Sequence, residues 1–166
     1  MTRIFAVALT LFFFVIPGCG IYSFKNTSLP SHIKTVDIPV MSNLSLEPDI
    51  ADEITRELNR EVLSKNLFKI SSEKGDATII GKITNYENTP YIYGASGTKQ
   101  ADVDQYIVRI TADMEFIDNK EDKSLFEGSV RGEGIYNFKT ESEQTGREKA
   151  IKDVVQRLLE SSMQSW

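Results

Sequence analysis

The sequence has few of the residues on which several common protein chemistries depend. Its 166 residues include one cysteine, Cys19, and one histidine, His32. A single cysteine excludes an internal disulfide and a cysteine-based metal cluster. A serine-histidine-aspartate triad or a multi-histidine metal site would have to use His32, for which a plain linker role is the simpler interpretation. The commonest catalytic machinery is therefore absent and no metal or cofactor site is predicted, although composition alone does not exclude catalysis.

Positive charge is also scarce. Lysine and arginine total 19 against 24 aspartates and glutamates, which gives a formal net charge of -5 and a pI near 5.0. Nucleic-acid binding depends on lysines and arginines concentrated enough to neutralise phosphates, and no segment of this chain concentrates them. The charge balance therefore excludes a typical nucleic-acid-binding protein.

One sustained apolar run is present, in residues 4–16, and it begins directly after Arg3. A helix of this length spans about 20 Å, which is short of the ~30 Å hydrocarbon core of a bilayer. A basic start followed by a short apolar segment is typical of a secretory signal. The sequence therefore predicts export and not a membrane-spanning helix in this region.

The apolar run ends in Ile16-Pro17-Gly18-Cys19, which resembles the cleavage box of bacterial lipoproteins. In that box the cysteine thiol receives diacylglycerol and the peptide bond before it is cut. We expect residues 1–18 to be a lipoprotein signal peptide and Cys19 to be the lipidated first residue of the mature chain. The alternative is an ordinary signal peptide with an incidental cysteine. Gly20, in place of the aspartate that favours inner-membrane retention in enterobacterial lipoproteins, points to the outer membrane.

The rest of the chain predicts a short tether and one domain. Residues 19–32 show no sustained period and contain turn-forming residues, so we expect a lipidated N-terminal tether there. Residues 33–166 are long enough for one hydrophobic core and are predicted to form a single domain.

Hydrophobic periodicity predicts a fold of the α+β class. Alternating patterns indicate four strands, and apolar residues at three- and four-residue spacing indicate two amphipathic helices, one starting near Pro48 and one after residue 140. The strands are expected in residues 33–40, 77–86, 105–116 and 125–138. The predicted architecture is a two-layer β-α-β-β-β-α sandwich, in which both helices cover one face of a four-stranded, mixed and mostly antiparallel sheet.

The inner face of the last predicted strand carries Gly128, Gly132 and Gly134. Glycine in a strand weakens it and often marks a bulge, a bend or a place where another backbone approaches closely. We therefore expect one of these three features in that strand.

Three basic residues fall on the polar faces of successive predicted strands: Lys82, Arg109 and Arg131. They would form a small cationic patch if the strands bring them side by side. Acidic residues on the same faces outnumber them, and cross-strand ion pairing is the alternative. These acidic residues are Asp113, Glu115, Glu127 and Glu133.

A predicted long loop in residues 87–102 has unusual aromatic content, with Tyr91 and Tyr93, and carries Lys99 at its tip. Exposed aromatic side chains in a long loop often mark a partner surface. The alternative is that the two tyrosines cover one end of the sheet.

The order of these motifs resembles the LptE family of lipopolysaccharide-assembly lipoproteins, especially its Bacteroidetes-type members. The resemblance covers the whole mature chain. It rests on the lipobox followed by Gly20-Ile21-Tyr22-Ser23-Phe24, Ser28-Leu29-Pro30, the stretch 33–39, Asn43, the acidic start of the first helix, Gly75-Asp76-Ala77, the stretch 79–86, and the long strand pair before the last helix.

This resemblance implies a non-enzymatic role at the outer membrane. LptE proteins sit as a plug inside the LptD barrel and help deliver lipopolysaccharide, which they are reported to contact through basic residues. The resemblance thus implies a protein anchored on the periplasmic side by lipid, with LptD and lipopolysaccharide as partners. Candidate contacts are Lys82, Lys99, Arg109, Arg131, Tyr91 and Tyr93. The alternative function is a lipid-binding or secretion-associated periplasmic lipoprotein without an LptD partner.

Overall fold

The structure is a computed structural model that describes residues 30–91 and 104–164. The predicted signal peptide and Cys19, most of the predicted tether, and Tyr93 and Lys99 lie outside the described residues, so the predictions made for them stay predictions. The elements, in chain order, are β1 (Thr35–Asp37), β2 (Ser42–Asn43), α1 (Ile50–Ser64), β3 (Lys69–Ser71), β4 (Ala77–Pro90), β5 (Gln105–Asp118), β6 (Lys123–Asn137) and α2 (Glu143–Gln164).

The described strands form one mixed sheet in the order β3-β1-β4-β5-β6, with β2 also paired to β4. Strands β4, β5 and β6 are antiparallel, whereas β1 runs parallel to β3 and β4. The α+β class is confirmed, but the predicted count of four strands is wrong, because the described residues form six. The two extra strands, β2 and β3, have two and three residues and are too short to show a two-residue period.

The first predicted strand, residues 33–40, is shorter in the structure because Pro39 interrupts it. Strand β1 ends at Asp37, and the chain pairs with β4 again only at Ser42. Proline has no backbone N–H to donate to a ladder, so pairing stops where it occurs. Strands β1 and β2 therefore occupy successive positions along the same edge of β4.

A single hydrophobic core lies between the sheet and the two helices. The apolar stripe of α1 is fully buried at Ile50, Ile54, Leu58 and Val62, as its four-residue spacing predicts. Alternate residues of β5 face the same core, and α2 adds a broad stripe. The residues that β5 and α2 contribute to this core are Val108, Ile110, Ala112, Met114, Phe116, Ala150, Ile151, Val154, Val155, Leu158 and Leu159.

The glycines of β6 allow α2 to approach the sheet closely. A Cβ atom added at Gly134 would lie 1.9 Å from the carbonyl oxygen of Gly146, and one added at Gly132 would lie 2.4 Å from that of Ala150. Both contacts are far shorter than van der Waals distance. Of the three features predicted for this strand, the structure shows close approach of a helix backbone at Gly132 and Gly134.

Strand β4 is longer than the predicted strand, and a bulge within it explains the difference. The register with β5 shifts between Ile83 and Asn85, and β4 then continues to Pro90. Before the bulge odd-numbered residues such as Ile83 face the core, and after it even-numbered residues such as Tyr86 do. This change of parity removes the alternation on which the prediction relied, so residues 87–90 belong to β4 and not to the predicted loop.

A buried arginine joins the two helices to the sheet. Arg147 of α2 is 8% exposed, and its guanidinium binds the Glu53 carboxylate at 2.8 Å, the Pro48 carbonyl at 2.8 Å and the Glu47 carboxylate. The guanidinium also lies 5.8 Å from the ring centroid of Tyr86. This network fixes the segment before α1 against α2 and the second half of β4.

Candidate functional site

The face of β4, β5 and β6 that points away from the helices, which we call the open face, carries mostly polar side chains. Strand register arranges these side chains in rows that cross the three strands. Three successive rows contain the predicted basic residues: Glu87-Arg109-Glu133, Asn85-Thr111-Arg131 and Lys82-Asp113-Ser129. The sheet therefore places the three cations one on each strand, in neighbouring rows, as the sequence pattern indicates.

Arg109 is engaged in the sheet surface. It lies between Glu87 and Glu133 in its row, and its Nε is 3.1 Å from Oε1 of Glu133. Its Nη1 also donates to the Thr89 hydroxyl at 3.2 Å. For Arg109, cross-strand ion pairing, the alternative considered above, is the arrangement in the structure.

Lys82 and Arg131 are differently placed. Lys82 is directly opposite Asp113, and Arg131 is directly opposite Thr111. Both side chains are exposed, and within residues 30–91 and 104–164 neither forms an ion pair. These two cations are available to an external anion, although carboxylates surround them, so the open face is a surface of mixed charge.

A groove of about 640 Å³ crosses the open face at the third of these rows and at the row beyond it. Its floor comes from three neighbouring strands and its wall from the β1–β2 connection. It is lined by Pro39, Val40, Ser42, Ile80, Gly81, Lys82, Asp113, Met114, Glu115, Glu127, Gly128 and Ser129. We call it the sheet groove.

The sheet groove combines apolar and charged surface. Val40 is 65% exposed and Ile80 39% exposed, and both present apolar surface to the groove. Lys82 supplies the ammonium group and Asp113, Glu115 and Glu127 supply carboxylates. A groove of this kind suits a ligand or partner segment with both an apolar part and a polar part. The sequence did not reveal it, because its wall depends on the break at Pro39.

Tyr91 lies at the end of β4. Its backbone N–H donates to the Gln105 carbonyl at 2.8 Å, so the backbone here still follows the β4–β5 ladder, and its side chain is half-buried. This position is next to the sheet end, away from the sheet groove. Of the three candidate residues in the predicted loop, Tyr91 therefore lies at the end of the sheet. Tyr93 and Lys99 lie outside the described residues.

His32 is bound to the domain and is not a plain linker residue. Its Nε2 lies 2.8 Å from Oδ2 of Asp118, a side chain that is fully buried. Burial raises the pKa of Asp118, but the backbone N–H groups of Glu121 and Lys120 and the His32 ring together hold that pKa below its ordinary value. This pair attaches the start of the domain to the end of the sheet.

His32 lies beside two carboxylates of the kind that bind metal ions. Within the described ranges, His32, Asp118 and Glu121 are the trio whose ligand atoms, all within 4.8 Å of one another, could hold an ion. Both oxygens of Asp118 already accept hydrogen bonds, Oδ1 from the backbone of Lys120 and Glu121 and Oδ2 from His32. Hydrogen bonding accounts for the geometry without a metal ion.

The family model described as "LptE: Lipopolysaccharide-assembly" matches residues 33–163. The chain belongs to the LptE family. The match covers every strand and nearly all of α2, and so includes both the open face and the sheet groove. No curated protein matches the sequence.

Several solved structures share the LptE-family fold seen here. Protein CT253 from Chlamydia trachomatis has a TM-score of 0.53 and 7% sequence identity, over 78% of this chain and 98% of that chain. Protein XCC0632 from Xanthomonas campestris has a TM-score of 0.53 and 10% identity, over 83% and 90%. A PelC dodecamer from Paraburkholderia phytofirmans has a TM-score of 0.52 and 14% identity, over 84% and 93%. At such identities the likeness concerns the fold alone.

Membership of the LptE family associates the chain with lipopolysaccharide assembly. In the described part of the chain, neither helix is both long enough and apolar enough to cross a bilayer.

Proposed function

We propose that this protein is a non-enzymatic outer-membrane lipoprotein that partners and plugs an LptD barrel in lipopolysaccharide transport and assembly. The observation that carries the proposal is the LptE family match over residues 33–163. The proposed anchor is lipid on Cys19, left as the first residue after removal of residues 1–18, with the domain on the periplasmic side. A lipid anchor of more than one acyl chain would hold the domain stably at the membrane.

The two faces of the sheet support this role physically. Both helices and one sheet face form the core, and on the opposite face Lys82 and Arg131 are exposed within the described residues. The open face is polar and of mixed charge, and the interior of a large outer-membrane barrel is polar and wet. We therefore propose that the open face is directed at the barrel wall.

The sheet groove is the proposed place for contact with lipopolysaccharide or with a barrel segment. Lipopolysaccharide carries phosphates on its glucosamine head and acyl chains beside them. Lys82 offers an ammonium group without an ion pair in the described residues, and the exposed Val40 and Ile80 offer apolar surface within the same groove. Arg109 is a weaker candidate for this contact because Glu133 already binds it.

Recovery of the protein from its own outer membrane tests the proposed partnership. The full-length chain, tagged and produced at native abundance, is expected to bring down a large LptD-type barrel, and its depletion is expected to reduce surface lipopolysaccharide. Recovery of the protein alone, with surface lipopolysaccharide unchanged after depletion, would favour a lipoprotein of another periplasmic pathway.

A charge reversal tests the sheet groove. Lys82→Glu is expected to reduce cross-linking of the full-length protein to lipopolysaccharide or to the barrel, because it replaces the ammonium group by a fourth carboxylate. Lys120→Glu, an equal change in charge on an exposed residue of the β5–β6 turn, is the matched control. Equal cross-linking by the two variants would remove Lys82 from the proposed contact.

A further inference from the structure

The sheet groove favours an occupant that is apolar and positively charged. Val40 and Ile80 present exposed apolar surface there. Removal of apolar surface from water is favourable, so an occupant that covers these two side chains is stabilised in the groove. Three carboxylates also line the groove, against one ammonium group, that of Lys82. The groove thus has a surplus of negative charge beside its apolar surface.

Two of these carboxylates are placed unfavourably within the domain. Glu115 of β5 is directly opposite Glu127 of β6, and like charges at directly opposite positions destabilise a strand pair. In the part of the chain that the structure describes, neither carboxylate forms an ion pair. A cation placed beside both would relieve this repulsion.

The chain itself contains a segment with the required chemistry. Residues 19–29, the part of the predicted tether outside the described residues, include no aspartate or glutamate. Within them, residues 21–25 carry one cation and three large apolar or aromatic side chains: Lys25, Ile21, Tyr22 and Phe24. This stretch therefore matches the groove both in its apolar character and in its charge.

The segment is attached at the end of the sheet from which it can reach the groove. His32 binds Asp118, the last residue of β5. The nearer row of the groove contains Glu115, three residues back along β5, which is about 10 Å at ~3.4 Å per residue. Phe24 lies six residues before Pro30, and six extended residues span up to about 20 Å. This length covers the distance along the strand and the turn around the end of the sheet.

We propose that residues 21–25 of this chain dock into the sheet groove until a partner displaces them. In the docked state the aromatic rings cover the exposed apolar side chains of the groove, and the Lys25 ammonium group lies beside Glu115 and Glu127. Because the segment belongs to the same chain, its concentration at the groove is about millimolar, and a weak contact is enough to fill the groove. The docking depends on this chain alone, whereas displacement by the barrel or by lipopolysaccharide rests on the proposed function.

Docking also sets the distance between the domain and the proposed lipid anchor. With residues 21–25 in the groove, only Gly20 separates the docked segment from Cys19, so the open face is held close to the membrane surface. After displacement, residues 19–29 span up to about 36 Å when extended, which allows the domain to move away from the surface and into a barrel.

Pairs of introduced cysteines in the full-length chain, in membranes from barrel-depleted cells, test the docking. Ser23→Cys in the segment with Ser42→Cys in the groove is expected to give a link within one chain on treatment with a short bismaleimide. The matched control is Ser23→Cys with Lys120→Cys, because Lys120 is exposed and binds Asp118 at the sheet end where the segment is attached. An undocked segment would link to position 120 at least as readily as to position 42. We expect the yield at position 42 to exceed that at position 120 at least about threefold, above the background of the parent chain with its Cys19.

Removal of the aromatic rings gives a second readout. Tyr22→Ser with Phe24→Ser is expected to lower the yield at position 42 to that at position 120. Equal yields at the two positions in the parent pairs, an unchanged yield at position 42 without the two rings, or a link between two chains instead of within one overturns the proposal. Restoring the barrel to native abundance is expected to lower the yield at position 42. A high yield that the barrel leaves unchanged would support the docking and contradict the barrel contact of the proposed function.

Discussion

Replacement of the buried Arg147 should test how the two layers are held together. Arg147→Met keeps the length of the side chain but removes the guanidinium, which contacts Glu53, Glu47 and the Pro48 carbonyl. Loss of one partner of a buried ion pair costs about 3–5 kcal/mol, because the remaining charge stays desolvated. Glu47 and Glu53 are 29% and 23% exposed and can regain some water, so we expect the low end of that range, about 3 kcal/mol.

Urea denaturation of the full-length protein in detergent measures this cost. With a urea dependence near 2 kcal/mol per molar, the midpoint should fall by about 1.5 M. The matched control is Arg157→Met on the same helix, whose guanidinium pairs with Asp153 but is 55% exposed and should cost less than about 1 kcal/mol. Equal midpoints for the two variants would refute the structural role assigned to Arg147.

Three further outcomes follow from single residues. Gly134→Ala should cost about 2–3 kcal/mol, because its Cβ would lie 1.9 Å from a helix carbonyl, whereas Gly128→Ala, which meets only the Phe126 ring at 3.0 Å, should cost less than about 1 kcal/mol in the same denaturation assay. The backbone N–H of Lys34, together with the hydroxyl and backbone N–H of Thr35, lowers the pKa of Asp76 to about 2. The contribution of Asp76 to the free energy of unfolding is therefore present above its ordinary pKa of 3.8 and is lost as pH falls through about 2. Asp76→Asn should remove this acid-dependent loss from a plot of unfolding free energy against pH. Cys19→Ala should release the protein from the membrane fraction of barrel-depleted cells, and unchanged fractionation there would contradict the lipid anchor.

Much of the fold could be predicted because its long elements follow a simple period. Strand β5 alternates except at Ile107, an apolar and buried residue on the polar side, and α1 repeats every four residues, so the core faces of both were predicted correctly. Strands β2 and β3 carry too few residues to show a period. The second half of β4 was missed for a different reason, since the bulge before Asn85 reverses which residues face the core.

The sequence predicts which residues lie on the open face but not which of them contact one another. Lys82, Arg109 and Arg131 were placed on the polar face from alternation alone. Which of them is engaged depends on register: Arg109 meets Glu133, while Arg131 meets Thr111. The sheet groove depends on contacts between distant segments, such as the β1–β2 connection with β4, and periodicity carries no such information.

The proposed function requires that the open face of this LptE-family domain meets the LptD barrel during lipopolysaccharide assembly. The most direct test places a photo-reactive residue at Glu115, in the sheet groove, and in a second strain at Lys152, on the exposed side of α2. Irradiation of living cells is predicted to cross-link the protein to the barrel from position 115 and not from position 152. Cross-linking from position 152 alone, or from neither position while the protein is at native abundance, would contradict the claim.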